Sequence, residues 1–215
     1  MRRAITAALL VGLAAVAAAA HEPGVPPLAF EPPAPGTYTL HRIMTAPDGE
    51  VLDLDGRPHR LAEFTHDRIT LLALVYATCV DPDGCPRTLP VFDAVRRAVG
   101  PGRRAQIRLV TLSFDPERDT PAAMRGYAGR RAEAGGGVPW HFLTTRSTAA
   151  VTPLLDGFGQ DVRSTVAPGG GRREISHVLK VFLLDPAGRV REIYDATFLH
   201  PRTVLNDVET LARER

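Results

Sequence analysis

The sequence predicts a three-layer α/β domain with a central mixed sheet, and three observations carry that reading. The run 69–76 is too continuously apolar for a half-exposed strand and reads as a central strand covered on both faces, and residues 107–114 read as a second buried strand. Segments with helical apolar spacing or helix-start chemistry follow each run. The chain then closes on a strand–turn–strand pattern, residues 178–184 and 190–194 around Asp185-Pro-Ala-Gly188, followed by an amphipathic helix over 201–213.

In chain order, Met1-Arg2-Arg3 precedes an apolar, alanine-rich stretch that ends in three alanines before His21. A positive start, a short apolar run and small residues before a polar one predict a signal peptide over residues 1–20. The run of about 17 residues is short for a membrane span, and an uncleaved anchor is the alternative. Removing Arg2 and Arg3 leaves 24 basic side chains against 24 acidic ones. The mature chain is therefore near neutral, and with no basic block or basic–aromatic interleaving it offers nothing for nucleic acid. About 195 residues suffice for one good core.

Residues 21–36 carry six prolines, which forbids helix and predicts an extended, solvated linker reaching to about residue 44, with the folded domain over 45–215. Asp55-Gly56 predicts a hairpin turn between short arms at 50–54 and 57–61. After the first central strand, Val91, Phe92, Val95 and Val99 share one helical face, with Gly100 as the stop. Pro86 suits a first helical position whereas Pro90 does not suit an interior one. Either a short turn begins at Cys85 or the helix proper begins near Thr88. Thr120-Pro121 caps and opens the next helix. Residues 140–143 form a third short strand, and 147–158 a helix weakened by Pro153. The glycine-rich stretch 163–173 reads as a loop. There is no internal repeat.

The chemistry lies in two cysteines, Cys79 and Cys85, the only ones in the chain. They follow the first central strand directly. On a helix, residues six apart point about 120° away from each other and are separated by a rise of roughly 9 Å. The intervening Asp81-Pro82-Asp83-Gly84 instead has strong turn chemistry, with proline second and glycine fourth, and folds the two sulfurs back together. Such a loop supports a structural disulfide, as expected of an exported protein, or a redox pair, or a chelate for a soft metal. Cys85 at a helix start sits where backbone N–H groups and the helix dipole favour a thiolate. Among the seven histidines, His177 stands at the lip of the final hairpin and could face the end of the first central strand. His41, His59, His66, His141 and His200 read as surface residues. His21, the first residue after the predicted cleavage, offers only an adventitious copper site on a flexible segment. Asp115 and Asp119 either border the site or a partner surface or belong to a capped, solvated loop, and the second is the favoured reading.

Together these motifs resemble the Sco/SenC family, thioredoxin-like copper-binding proteins that assist cytochrome c oxidase assembly. The resemblance rests on Leu74-Val-Tyr-Ala-Thr-Cys79, Cys85-Pro86, the run Val110-Thr-Leu-Ser-Phe-Asp-Pro-Glu-Arg-Asp-Thr-Pro121, Trp140-His-Phe-Leu-Thr144, and Ser176-His177 with Val181-Phe-Leu-Leu-Asp-Pro-Ala-Gly188. It covers roughly residues 45 to 212. It implies a thioredoxin-like fold with Cys79, Cys85 and His177 as ligands to copper, as Cu(I) or Cu(II). It further implies a copper-accepting partner, a subunit of cytochrome c oxidase or another such protein, and proximity to a membrane periphery. Thiolates and imidazole suit Cu(I) and disfavour hard cations. Five residues separate the cysteines where the family normally has three, and Ser176 stands where it usually has an acidic residue.

The leading functional expectation is thus a periplasmic or otherwise exported copper chaperone, which need not turn over a substrate. The alternatives are a thiol–disulfide oxidoreductase cycling Cys79 and Cys85, and a binding scaffold stapled by a disulfide. A peroxidase is a weaker variant, because the proline expected upstream of Thr78-Cys79 is absent.

Overall fold

The computed structural model describes residues 24–25, 27–82, 84–133, 137–166 and 173–214. The predicted signal peptide and His21 lie outside these residues. In chain order the elements are β1 (Met44–Thr45), β2 (Glu50–Leu52), β3 (Pro58–Arg60), α1 (Ala62–Thr65), β4 (Ile69–Val75), α2 (Thr88–Ala98), β5 (Ile107–Ser113), α3 (Pro121–Ala128), β6 (Trp140–Leu143), α4 (Thr148–Gly157), β7 (Val162–Val166), β8 (Arg173–His177), β9 (Val181–Leu184), β10 (Arg189–Tyr194) and α5 (Pro201–Arg213).

A six-stranded mixed sheet of order β1-β10-β9-β4-β5-β6 forms the middle layer. β4, β5 and β6 run parallel, with Leu71 opposite Leu109 and Leu109 opposite Trp140. β9 joins β4 antiparallel, and β10 and β1 continue outward in the same sense. Every residue of β4 and β5 is buried, which accounts for the almost wholly apolar run of β4; β5 also buries Arg108, Thr111 and Ser113. Successive side chains alternate between faces. Ile69, Leu71, Ala73 and Val75 meet Val91, Phe92 and Val95 of α2, Met124 of α3, and Val204, Val208 and Leu211 of α5. Leu72 and Leu74 turn the other way, toward Phe64 of α1 and Val151, Leu154 and Phe158 of α4. The sheet is therefore covered on both faces, as a three-layer domain requires.

Both readings of the α2 start hold. Cys85–Arg87 forms a 3-10 turn with Pro86 in its first turn, and α2 follows at Thr88. Pro90 is then the third residue of α2 and falls within its first turn, where a missing N–H is tolerated. Thr120 caps α3 as expected, its hydroxyl accepting from Ala123 N–H at 3.3 Å, and Ser147 caps α4 in the same way.

Two expectations are corrected. The stretch 163–173 is not simply a loop: β7 and β8 pair as an antiparallel ribbon in which Val162 faces His177. Glycine-rich residues 168–171 drew the reading toward a loop; they lie outside the described residues, while the polar, β-branched arms pair. The proline-rich segment is extended but not simply solvated. From residue 31 to 40 it runs along α5, where Gly36 N–H donates to Thr210 Oγ1 at 2.9 Å and Asn206 Nδ2 donates to the Pro33 carbonyl at 2.8 Å. Tyr38 donates to Asp207 Oδ1 at 2.5 Å, and Leu40 is buried in the core. Proline removes donors, so the carbonyls of this segment take hydrogen bonds from α5 side chains instead of from a sheet.

A candidate metal centre of two thiols and an imidazole

The site lies beyond the carboxyl ends of the parallel strands β4 and β5, where loops of α/β sheets commonly carry ligands. β4 ends at Val75, and Tyr76 turns the chain into the cysteine loop. The Cys79 N–H donates to the Tyr76 carbonyl at 3.2 Å, and the Gly84 N–H donates to the Asp81 carbonyl at 2.9 Å. The second bond is that of the turn expected from Asp81 to Gly84. The turn returns the chain so that Cys85 opens the 3-10 turn, buried at 1 % exposure, while Cys79 stays partly exposed. Both cysteines are free thiols.

His177 comes from the far side. It is the last residue of β8 and leans inward, partly buried, with its ring 5.1 Å from Phe114 and 5.5 Å from Tyr76 between centroids. Its Nε2 lies 3.2 Å from Cys85 Sγ. One ligand atom from each of Cys79, Cys85 and His177 lies within 4.8 Å of the others. The five-residue gap therefore does not keep the sulfurs apart. The donor set is soft, two sulfurs and one nitrogen, and fits Cu(I) far better than a hard cation.

The electrostatics divide the two thiols. A hydrogen bond from Cys85 is the main cause that holds the Cys79 thiol well below the usual range; the Tyr76 hydroxyl and backbone N–H groups of the turn add to it, against the cost of burial. The same hydrogen bond to Cys79, then burial, pushes the Cys85 thiol up. The two thiols therefore titrate as a coupled pair. Burial also lowers the pKa of His177, offset by the charges on Cys79 and Asp81, so its imidazole is neutral and has a lone pair to offer.

Asp119 is the residue that sequence reasoning undervalued. It is 2 % exposed rather than solvated, and Asp115 is buried to the same degree. Its Oδ2 accepts the Ala77 N–H at 2.9 Å and the Ser113 hydroxyl at 2.5 Å. It therefore ties the start of the cysteine loop to the end of β5. Burial raises its pKa, and these two donors oppose the rise. The Asp115 N–H donates to Ser113 Oγ, and the Asp115 carbonyl accepts from Asp119 N–H at 2.8 Å, closing the turn that presents Asp119.

The other described histidines stay apart from this cluster. His41 is exposed, and His200 caps α5 by accepting the Arg202 N–H at Nδ1. His59 bridges Glu63 and Asp53, and the Glu63 hydrogen bond, followed by that of Asp53, raises its pKa. His59, His66, His141 and His200 are all partly buried rather than on the surface, where only His41 lies as expected. His141 packs its ring 5.0 Å from Phe64, because β6 is an edge strand whose outer face α1 overhangs.

A model of the SCO1/SenC family matches residues 42–213. No curated protein matches the chain in sequence. Among solved structures, the apo Sco1 protein from Thermus thermophilus superimposes with a TM-score of 0.66 at 25 % identity, covering 82 % of this chain and 95 % of that one. Copper-bound ScoI from Bradyrhizobium japonicum gives 0.62 at 21 % identity, covering 78 % and 98 %. BsSco, a cytochrome c oxidase assembly protein of the Sco family with an identified disulfide switch, gives 0.62 at 19 % identity, covering 82 % and 99 %.

Proposed function

We propose, for a chain that belongs to the SCO1/SenC family, that it is an exported copper-binding protein which carries one copper ion on Cys79, Cys85 and His177 and passes it to an acceptor. The observation that carries this reading is the convergence of two sulfurs and one imidazole nitrogen within 4.8 Å, from the cysteine loop and the end of β8. The copper bound by the relative from Bradyrhizobium japonicum and the oxidase-assembly role given for BsSco support the choice of cargo and of a cytochrome c oxidase subunit, or another copper-accepting protein, as recipient. The charge pattern of residues 1–20 supports export to the periplasm or an equivalent compartment. No described helix is long and apolar enough to cross a membrane.

Partial exposure of Cys79 and His177, against full burial of Cys85, suits a carrier. An acceptor thiolate approaches from the open side and exchanges with the outer ligands while Cys85 holds on. Loading the domain over 45–215 with Cu(I) and with Cu(II) tests the reading. One equivalent retained after desalting supports it; less than about a tenth of an equivalent with both thiols reduced rejects it.

One observation favours a second reading. Both cysteines are free with their sulfurs within 4.8 Å, and the hydrogen bond from Cys85 lowers the pKa of the Cys79 thiol, the direction that suits the attacking sulfur of a thiol–disulfide oxidoreductase. A reduction potential well below about −300 mV would mark a structural bridge and remove this reading.

A further inference from the structure

A narrow cleft of about 230 Å³ opens behind the Cys–Cys–His cluster, between α4 and the ribbon of β7 and β8. Phe114, Val151, Leu155, Val162 and Ile175 give it apolar walls. Two of these also support the cluster: the Phe114 ring lies 5.1 Å from that of His177, and the Ile175 carbonyl accepts the Tyr76 hydroxyl at 3.5 Å.

The polar side chains of the cleft offer acceptors. Gln160 lines it and is 4 % exposed. Its Nε2 donates to the Asp161 carbonyl at 3.2 Å and to the Val178 carbonyl at 3.0 Å. Carbonyls only accept, so these bonds fix the amide with its nitrogen toward them and Oε1 turned away. That Oε1 is buried and has no hydrogen-bond partner among the described residues. A buried acceptor without a donor is costly, and a donor brought by a ligand removes the cost. The hydroxyl protons of Thr148 and Thr152 are already committed, to Glu117 Oε1 at 3.1 Å and to the Thr148 carbonyl at 2.8 Å, so both oxygens are left to accept. Asp156 and Asp161 add two exposed carboxylates at the rim. Ser164 is the remaining polar side chain, and a hydroxyl serves in either sense.

We propose that this cleft takes the guanidinium of an arginine presented by a protein partner. A guanidinium carries five donors, no acceptor and a positive charge, so it matches a lining of acceptors and carboxylates. Its aliphatic stem suits the apolar walls, and its plane suits the Phe114 ring. The cleft is smaller than the roughly 300–1,000 Å³ of small-molecule sites, which favours one side chain over a whole cofactor. A partner anchored there docks beside His177. Such binding requires no copper, so it stands apart from the carrier reading.

Titrating the copper-free chain with N-acetyl-arginine amide, followed by proton–nitrogen correlation NMR, tests this. Saturable shifts are expected at the Gln160 side-chain amide, Val162 and Ile175. The citrulline analogue, alike in shape but uncharged, should bind several-fold more weakly. So should free arginine, whose α-carboxylate meets the acidic rim. Gln160→Leu should abolish binding. Because it also strips donors from two carbonyls, the double variant Asp156→Asn with Asp161→Asn, confined to exposed carboxylates, provides the arm that keeps the fold, and it should weaken binding several-fold. No saturable shift at those three residues, equal binding of the citrulline analogue, or undiminished affinity in the double variant overturns the proposal. Tighter binding of free arginine than of the amide overturns its assignment to a protein partner.

Discussion

The Cys85 sulfur and the His177 imidazole meet at 3.2 Å, although 92 residues separate them. Neither is placed by its own loop alone. Cys85 is fixed by the 3-10 turn that leads into α2, and His177 by the ribbon of β7 and β8. The centre therefore reports on the register between the α2 layer and the ribbon, and side chains that set this register act on copper without touching it.

Asp119 is the clearest of these. Asp119→Ala leaves the Ala77 N–H and the Ser113 hydroxyl without their acceptor. The expected cost is about 1–3 kcal/mol of stability and roughly a tenfold loss of copper affinity through the loosened loop. Asp119→Asn, which keeps one acceptor oxygen, should recover part of both. Denaturant unfolding and chelator competition on the two variants check this.

A pH-dependent prediction attaches to His141. Burial, then the charges of Arg108 and Arg68, lowers its pKa from 6.5 to about 4. Between those values the unfolded chain takes up a proton that the folded chain refuses, so stability is full above pH 6.5 and falls as pH drops toward 4. The contribution is at most about 3 kcal/mol. Replacing His141 with Leu should remove that slope, so that the wild-type-minus-variant stability falls with pH across this window when followed by urea titration.

The anchoring of the proline-rich segment gives a further test. Asp207 accepts from Tyr38 at 2.5 Å and from Tyr194 at 2.7 Å, and Tyr194 is fully buried. Tyr38→Phe removes one bond and should cost about 1 kcal/mol, whereas Asp207→Ala strands two hydroxyls and should cost about 3 kcal/mol. Both variants should also speed proteolytic clipping near residues 31–40 without altering copper stoichiometry.

The legibility of this molecule follows the physics of each part. The first central strand was readable because burial on both faces leaves an almost uninterrupted apolar run, and α5 because one of its faces is polar. Cys79, Cys85 and their turn were readable because Asp-Pro-Asp-Gly has few conformations open to it. The ribbon that carries His177 was not, because its polar arms have no apolar period and its pairing partner is itself. The docking of the proline-rich segment was equally hidden, since it depends on side chains of α5 that lie about 170 residues away. Asp119 was misjudged because an acidic residue is rarely buried unless fully paired, and its partners are a backbone N–H and a serine.

X-ray absorption at the copper edge, on the Cu(I)-loaded domain and its His177→Ala variant, tests the three-ligand centre most directly. The account predicts two sulfur neighbours and one nitrogen neighbour in the wild type, with the nitrogen lost in His177→Ala while both sulfurs remain. A wild-type spectrum with no imidazole contribution, or one unchanged by His177→Ala, would contradict it.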